Sequence, residues 1–400
     1  MSDKNIDIVM IGVEEDLLLA ESGHRSIMLS KAFGGSGRVG KVAVINCPVS
    51  FPRRFKDLIS GKTKMRGDCR LIYKGACISV YNAGGKINVI NLTTLFPESD
   101  SMFSRVNRML LIKRIRSALN YLGFDDYALW ISNPRIVDIA SKITAAVTVF
   151  DAIDNLRIHS ETKRFYKKIE NAYGWIERNV DLICIASEGQ REMFPASSKL
   201  YLLSNGVDSI FFSAVSPVIP ADLKDIIRPI AGYAGALQDR IDIDLMEYVI
   251  KTLPEYNFVF VGPVIDINHI KPLLNYSNVH IMGNKKFGNM PSYIDNFDVC
   301  IIPHKVNALT ISMDPLKTYE YLARGKPVVS TPVAGTDKFK NILYIADDKK
   351  KFAGYVKLSI REDSRQKHED RINVVSGHAW SNKINAILDR MFELKERYNL

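Results

Sequence analysis

Short apolar runs recur along the chain, and most are followed by residues at helical spacing. IDIVMIGV (6–13), KVAVINC (41–47), ALWIS (128–132), AAVTVF (145–150) and DLICIA (181–186) are apolar without alternation, the mark of strands buried on both faces. Further strands are expected at 69–73, 77–82, 87–91 and 199–203. A second series follows at 230–235, 257–262, 278–282, 298–303, 327–331 and 342–346. Strands alternating with helices predict an α/β class with parallel sheets covered by helices on both sides. The alternation stops at FSAVSPVIPADLKDIIRP (212–229), where three prolines and no sustained period read as a linker. The pattern therefore predicts two doubly wound Rossmann-like domains facing a cleft, at 1–208 and 229–380, joined by a linker at 209–228. The segment 381–400 has helical spacing and is free to cross back to the first domain.

A length of 400 residues suits two domains. With 46% hydrophobic and 24% charged residues, the composition is that of an ordinary globular chain. The N-terminus enters an apolar strand without a basic leader, so no secretory signal is expected. No run approaches the roughly 18 apolar residues that a membrane span needs. Cys47, Cys69, Cys77, Cys184 and Cys300 are scattered, odd in number and mostly beside strand-like runs, which reads as free thiols in a reducing cytoplasm. No Cys/His spacing suits structural zinc.

Charge changes the picture more than composition does. The net charge is +10, and residues 53–74 carry eight Lys/Arg against two Asp/Glu. Residues 101–122 carry five Lys/Arg and no acid, with Met102, Phe103, Val106, Leu110, Ile115 and Leu119 interleaved. Both stretches suit an anionic partner, and the second suits an anionic membrane surface. A core-facing apolar stripe with a solvated basic side would give the same letters.

In an open parallel sheet ligands bind beyond the carboxyl ends of the strands, so the residues that follow strands carry the candidate chemistry. In the second series, IAGYAGALQDR runs from a strand into a glycine turn. Gly235 allows close backbone approach, the next helix start offers N–H groups, and Arg240 is near. The stretch DPLKTYEYLARGKPVVST (314–331) reads as a helix with Asp314 as N-cap, Pro315 in the first turn and a buried strand after it. Lys317 then lies in the first turn, where the helix dipole disfavours a cation unless an anion docks there. Glu320, one turn later on the same face, can accept hydrogen bonds from a diol. An exposed Lys–Glu pair would show the same spacing. In the first series, Asp151 and Asp154 follow a buried strand in VFDAIDN, placed for general base chemistry. His159 is near them, and His24 and Arg25 follow the first strand; these three, with Asp151, are candidate acceptor or phosphate contacts.

PLKTYEYLARGKPVVSTPV, SNGVD (204–208), GYAGAL and VFVGP (259–263) resemble, in order and spacing, the donor-domain motifs of GT-B glycosyltransferases. LWISNP and VFDAIDN resemble the branch that includes teichuronic-acid biosynthesis glycosyltransferases and xanthan-type glucuronosyltransferases. The resemblance implies transfer of a sugar from a nucleotide diphosphate sugar to a glycan or lipid-linked acceptor in bacterial surface polysaccharide synthesis. It implies that Glu320 binds the donor ribose, that Lys317, Gly235 and Arg240 meet the diphosphate, and that Asp154 is the base. Many members carry a second glutamate eight residues before the first; here that position is Ser312, which favours inversion. No metal and no cofactor is expected, the nucleotide diphosphate sugar (UDP- or GDP-linked) being a co-substrate. Expected partners are that donor, a glycan or polyprenyl-diphosphate-linked acceptor and an anionic membrane surface, with no nucleic acid. The expected location is the cytoplasm, at the inner face of its membrane. A nucleotide-sugar epimerase or hydrolase, or a non-catalytic scaffold in polysaccharide assembly, would keep the same fold.

Overall fold

The structure is a computed structural model describing residues 5–14, 16–18, 23–52, 68–94, 102–158, 165–214 and 218–398. The chain divides into two compact units, Met1–Leu203 with Ser381–Leu400, and Ser204–Trp380. The segment 209–228 thus belongs to the second unit. Its Leu223 is buried in that core, and Asp222 accepts hydrogen bonds from Tyr293 (2.8 Å).

The first unit is built on β1 (Ile6–Val13), β2 (Val39–Asn46), β3 (Val49–Ser50), β4 (Arg70–Gly75), β5 (Ile78–Asn82), β6 (Ile87–Thr94), β7 (Tyr127–Ile131), β8 (Val147–Ala152), β9 (Leu182–Ile185) and β10 (Leu200–Leu202). Their order is β10-β9-β8-β7-β1-β2-β6-β5-β4, with β3 paired to β6. The chain winds outwards from β1 in both directions, so the topological switch lies between β1 and β7. The expectation of wholly parallel sheets is corrected at one edge, where β4, β5 and β6 pair antiparallel. The connections there are only a few residues long, too short for the crossover that parallel pairing needs. Of the longer helices, α1 (Arg25–Gly35), α2 (Met102–Tyr121) and α3 (Tyr166–Asn179) belong to this unit. Ile115 and Leu119 of α2 and Ile169, Tyr173 and Ile176 of α3 pack on Ile11, Ile45, Leu129 and Phe150 of the sheet.

The second unit holds β11 (Ile230–Ala234), β12 (Asn257–Val261), β13 (Val279–Gly283), β14 (Val299–Ile302), β15 (Val328–Ser330) and β16 (Tyr344–Ile345), all parallel. The order β13-β12-β11-β14-β15-β16 places its switch between β11 and β14. Helices α4 (Ile243–Thr252), α5 (Leu316–Ala323), α6 (Lys349–Arg361) and α7 (Arg365–Ser376) cover it. Leu245, Met246 and Val249 of α4 pack with Phe258 and Phe260 on one face, and Tyr319 and Leu322 of α5 pack with Val259, Val261 and Ile302 on the other.

The last helix, α8 (Trp380–Tyr398), returns to the first unit. There Asp389 pairs with Arg38 at 2.7 Å, Lys395 pairs with Asp126, and the Arg38 guanidinium lies over the Phe392 ring. Among the described residues no helix is long and apolar enough to cross a membrane, and none of the five cysteines forms a disulfide.

Candidate active site

In the second unit the glycine turn after β11 is shaped by close backbone approach. Gly235 has φ 146° and Gly262, at the end of β12, has φ 149°. A Cβ on Gly262 would lie 2.1 Å from the Gly235 carbonyl oxygen, so only glycine fits there. The Gly235 N–H donates to the Val261 carbonyl (2.8 Å), which locks the two strand ends together. Gly262→Ala is expected to destabilise the unit by roughly 2–6 kcal/mol, from backbone strain and overpacking together. Chemical denaturation checks this, and a wild-type midpoint would overturn it.

The helix expected directly after that turn starts later, at Ile243, and the Asp242 side chain caps it by accepting from Leu245 N–H (3.0 Å). A carboxylate already fills the place that an anion would take, so the cradle expected at this helix start is corrected. The loop 235–241 instead runs between the ends of two strands. Leu237 bridges to Val264, Ile241 bridges to His304, and the Arg240 carbonyl accepts from Lys305 N–H (2.8 Å). This holds Arg240, half-buried, close enough to lower the pKa of Lys317 and of His304.

The α5 helix brings Lys317 and Glu320 to the same place. Its N-cap is Pro315, with no side-chain capping bond, and not Asp314 as the sequence suggested. The Asp314 carboxylate is instead buried, accepting from Asn205 N–H (2.6 Å), Tyr319 O–H (2.9 Å) and Lys338 Nζ (3.2 Å). Those bonds tie α5 to the SNGVD segment. At the other side the Tyr321 hydroxyl accepts from Ala234 N–H (2.6 Å), pinning α5 to the end of β11. Lys317 consequently lies against Gly235: a Cβ there would sit 3.1 Å from its Nζ. The same Nζ stands over the Tyr233 ring, 4.8 Å from its centroid.

Lys317 and Glu320 are half-buried, and neither side chain forms a hydrogen bond or ion pair with another described residue. They are therefore not the simple surface pair that their spacing also allowed. Burial pulls Lys317 down to about 7, helped by the Arg240 charge, while the Glu320 charge works against it. Burial pushes Glu320 up to about 7, with Lys317 opposing and Asp208 of SNGVD adding to the rise. Two cations and a carboxylate thus converge at the carboxyl end of β11, beside the switch point, and Lys317 and Glu320 pay desolvation without a hydrogen-bonding partner among the described residues.

His304, just past β14, escaped the sequence reading. It is 1% exposed, its Nε2 lies 3.2 Å from the Tyr233 hydroxyl and its Nδ1 has no partner among the described residues. Burial, Lys317 and Arg240 hold it neutral. The available signal was a polar residue closing the apolar run DVCIIP. Ser312 donates to the Leu309 carbonyl (2.8 Å) and carries no acid towards Lys317.

In the first unit the candidates separate. Asp151 lies within β8, fully buried, and Arg25 at the start of α1 is 1% exposed. The guanidinium grips the carboxylate through Nη2 (2.8 Å) and Nε (3.0 Å) and donates to the Leu203 carbonyl (2.8 Å). Both are thus consumed by a buried pair, which corrects their reading as substrate contacts. His24 is the N-cap residue of α1, without a side-chain capping bond. His159 lies outside the described residues. Asp154 follows β8 in a half-buried bend, and its carbonyl accepts from the Tyr173 hydroxyl (3.3 Å). Its carboxylate has no hydrogen-bond partner among the described residues. No group of three or more candidate metal ligands occurs among the described residues.

The family model of glycosyl transferases group 1 matches residues 228–360, the span that carries Gly235, Arg240, Lys317 and Glu320. Residues 228–360 are thus similar to group 1 glycosyltransferases. The chain is also 26% identical over 231 residues to the Bacillus subtilis (strain 168) protein named "Putative teichuronic acid biosynthesis glycosyltransferase TuaH". That match covers 53% of this chain and 57% of the relative's length. Among solved structures, the chain resembles the α,α-trehalose 6-phosphate synthase of Burkholderia multivorans (TM-score 0.66, 11% identity, 99% of this chain and 100% of that one). It also resembles the sucrose-phosphate synthase of Thermosynechococcus elongatus (TM-score 0.67, 14% identity, 97% and 100%). A third is trehalose-6-phosphate from E. coli bound with UDP-2-fluoro glucose (TM-score 0.66, 10% identity, 97% and 99%). At these identities the likeness is one of fold: two Rossmann-like units of the GT-B class.

Proposed function

We propose that this protein transfers a sugar from a nucleotide diphosphate sugar to a glycan or lipid-linked acceptor in surface polysaccharide synthesis. One observation carries the reading. Lys317 and Glu320 share one helix face beside the glycine turn of the segment similar to group 1 glycosyltransferases, half-buried and with no hydrogen bond or ion pair to another described residue. A nucleoside diphosphate presents what each lacks, an anion for Lys317 and a ribose diol for Glu320. Arg240 adds a second cation, so the leaving diphosphate is stabilised electrostatically by protein groups. On this reading no divalent cation is required, and a chelator leaves the rate unchanged.

Asp154 takes the proton of the acceptor hydroxyl as that oxygen attacks the anomeric carbon, and the nucleoside diphosphate departs with the bonding electrons. The configuration inverts, consistent with Ser312 in place of an acid. Asp154→Asn is expected to lower kcat by 10²–10⁴-fold, the usual weight of general base catalysis, with donor affinity within about twofold of wild type. A non-catalytic scaffold would be unaffected.

The reading is tested by thermal shift against UDP-, GDP-, ADP-, CMP- and dTDP-sugars, with free nucleotides as controls. A ligand that binds only the folded chain raises the melting temperature by mass action. A selective rise with one diphosphate sugar is expected, from the UDP or GDP set. A rise with none of them would overturn the proposal.

A further inference from the structure

The sequence left open whether the apolar residues of 102–121 face the core or the outside, and the structure divides them. Leu111, Ile115 and Leu119 are buried against the sheet. On the opposite side of the same helix, α2, Val106 is 45% exposed, Met109 72% and Leu110 38%. At 100° per residue these three fall on the arc opposite the core stripe, together with Arg105, Lys113 and Arg116, which are also exposed. Scattered single apolar residues on a surface need no explanation. Three within two adjacent turns, on a helix that already has a separate core face, form a patch.

We propose that this outer face of α2 docks on an anionic lipid bilayer. The charge set selects the partner: residues 102–121 contain five Lys/Arg and no Asp or Glu. A second copy of the chain would meet this face with the same cations and be repelled. A nucleic acid would satisfy the cations but would leave Val106, Met109 and Leu110 without a favourable environment. A lipid surface answers both features. Its headgroups meet the cations that flank the arc, and its acyl boundary receives the three apolar side chains, with the helix lying in the plane of the interface. The helix is too polar to insert across the bilayer. This inference deepens the proposed function, since a face on the bilayer brings the first unit to a lipid-linked acceptor. Its test needs no sugar nucleotide, so the two readings can fail separately.

The experiment is co-sedimentation of the full chain with vesicles of phosphatidylglycerol and phosphatidylcholine, and with phosphatidylcholine alone, at low and high salt. Pelleting with the anionic vesicles only, weakened by salt, is expected. The variant Val106→Ser/Met109→Ser/Leu110→Ser is expected to lose roughly tenfold in partitioning while keeping its melting temperature, because all three side chains leave the core untouched. Arg105→Gln/Lys113→Gln is expected to lower partitioning and flatten its salt dependence. The proposal is overturned if wild type stays in the supernatant with anionic vesicles. It is also overturned if the triple serine variant pellets as wild type does, for the cations would then act alone, as they would on any polyanion.

Discussion

Replacing Glu320 by alanine is expected to weaken donor binding by about 30- to 1,000-fold, while the melting temperature of the free protein stays the same or rises. A buried carboxylate that accepts two hydroxyl hydrogen bonds contributes roughly 2–4 kcal/mol to binding after exchange with water. Without ligand the same carboxylate has no hydrogen-bonding partner among the described residues and costs desolvation, so its removal relieves the free protein. Lys317→Ala follows the same logic for the diphosphate, with a loss of about 10- to 100-fold. Isothermal titration of the two variants with the selected nucleotide measures both effects. A destabilised Glu320→Ala with unchanged affinity would show a structural role in place of a binding one.

The same two residues fix a pH dependence. Lys317 sits near 7 instead of its ordinary 10.5, so above pH 7 the free site loses the Lys317 charge as pH rises. Glu320 also sits near 7 instead of 4.5, so below pH 7 the free site loses its carboxylate as pH falls. The bound donor requires both charged. Affinity should peak near neutrality and fall by up to about tenfold per pH unit on either side, one proton being exchanged on each limb. Lys317→Ala removes the alkaline limb and leaves the acid one. A flat profile in wild type would contradict the assignment.

The second large effect concerns stability. Asp151→Ala is expected to cost about 3–5 kcal/mol, because it strands the buried Arg25 guanidinium without its counter-charge. The bond of Arg25 to the Leu203 carbonyl does not replace the lost charge. The double variant Arg25→Met/Asp151→Leu should recover most of that loss, since apolar groups of similar size avoid desolvating two ions. Denaturant midpoints of the singles and the double measure this as a cycle. A fully active, fully stable Asp151→Ala would be incompatible with a structural pair. A stable but inactive one would return Asp151 to the chemistry.

What the sequence could and could not reveal follows from the range of each interaction. The strand positions were legible because a strand buried on both faces must be largely apolar; β7 and β9 are wholly so, and β1 and β8 nearly so. Lys317 and Glu320 were legible because three residues on a helix guarantee a shared face, whatever else surrounds them. The Arg25–Asp151 pair joins residues 126 apart, and nothing local distinguishes a buried ion pair from two substrate contacts. The Asp314 cap failed for a related reason. Asp-Pro at a helix start is a cap by local rules, yet Asn205, Tyr319 and Lys338 offered that carboxylate more donors than the helix end did. Likewise the antiparallel edge β4–β6 depends on how short its turns are, which hydrophobic periodicity does not register.

The claim at the centre is that Glu320 holds the donor ribose. It is tested most directly by titrating wild type and Glu320→Ala with the selected nucleoside diphosphate and with its 2′,3′-dideoxy analogue. Wild type should bind the dideoxy analogue about 30-fold or more weakly, and the variant should bind both within about twofold, because the hydroxyls then have no acceptor to lose. An equal penalty for the missing hydroxyls in both proteins would place the ribose elsewhere and contradict the account.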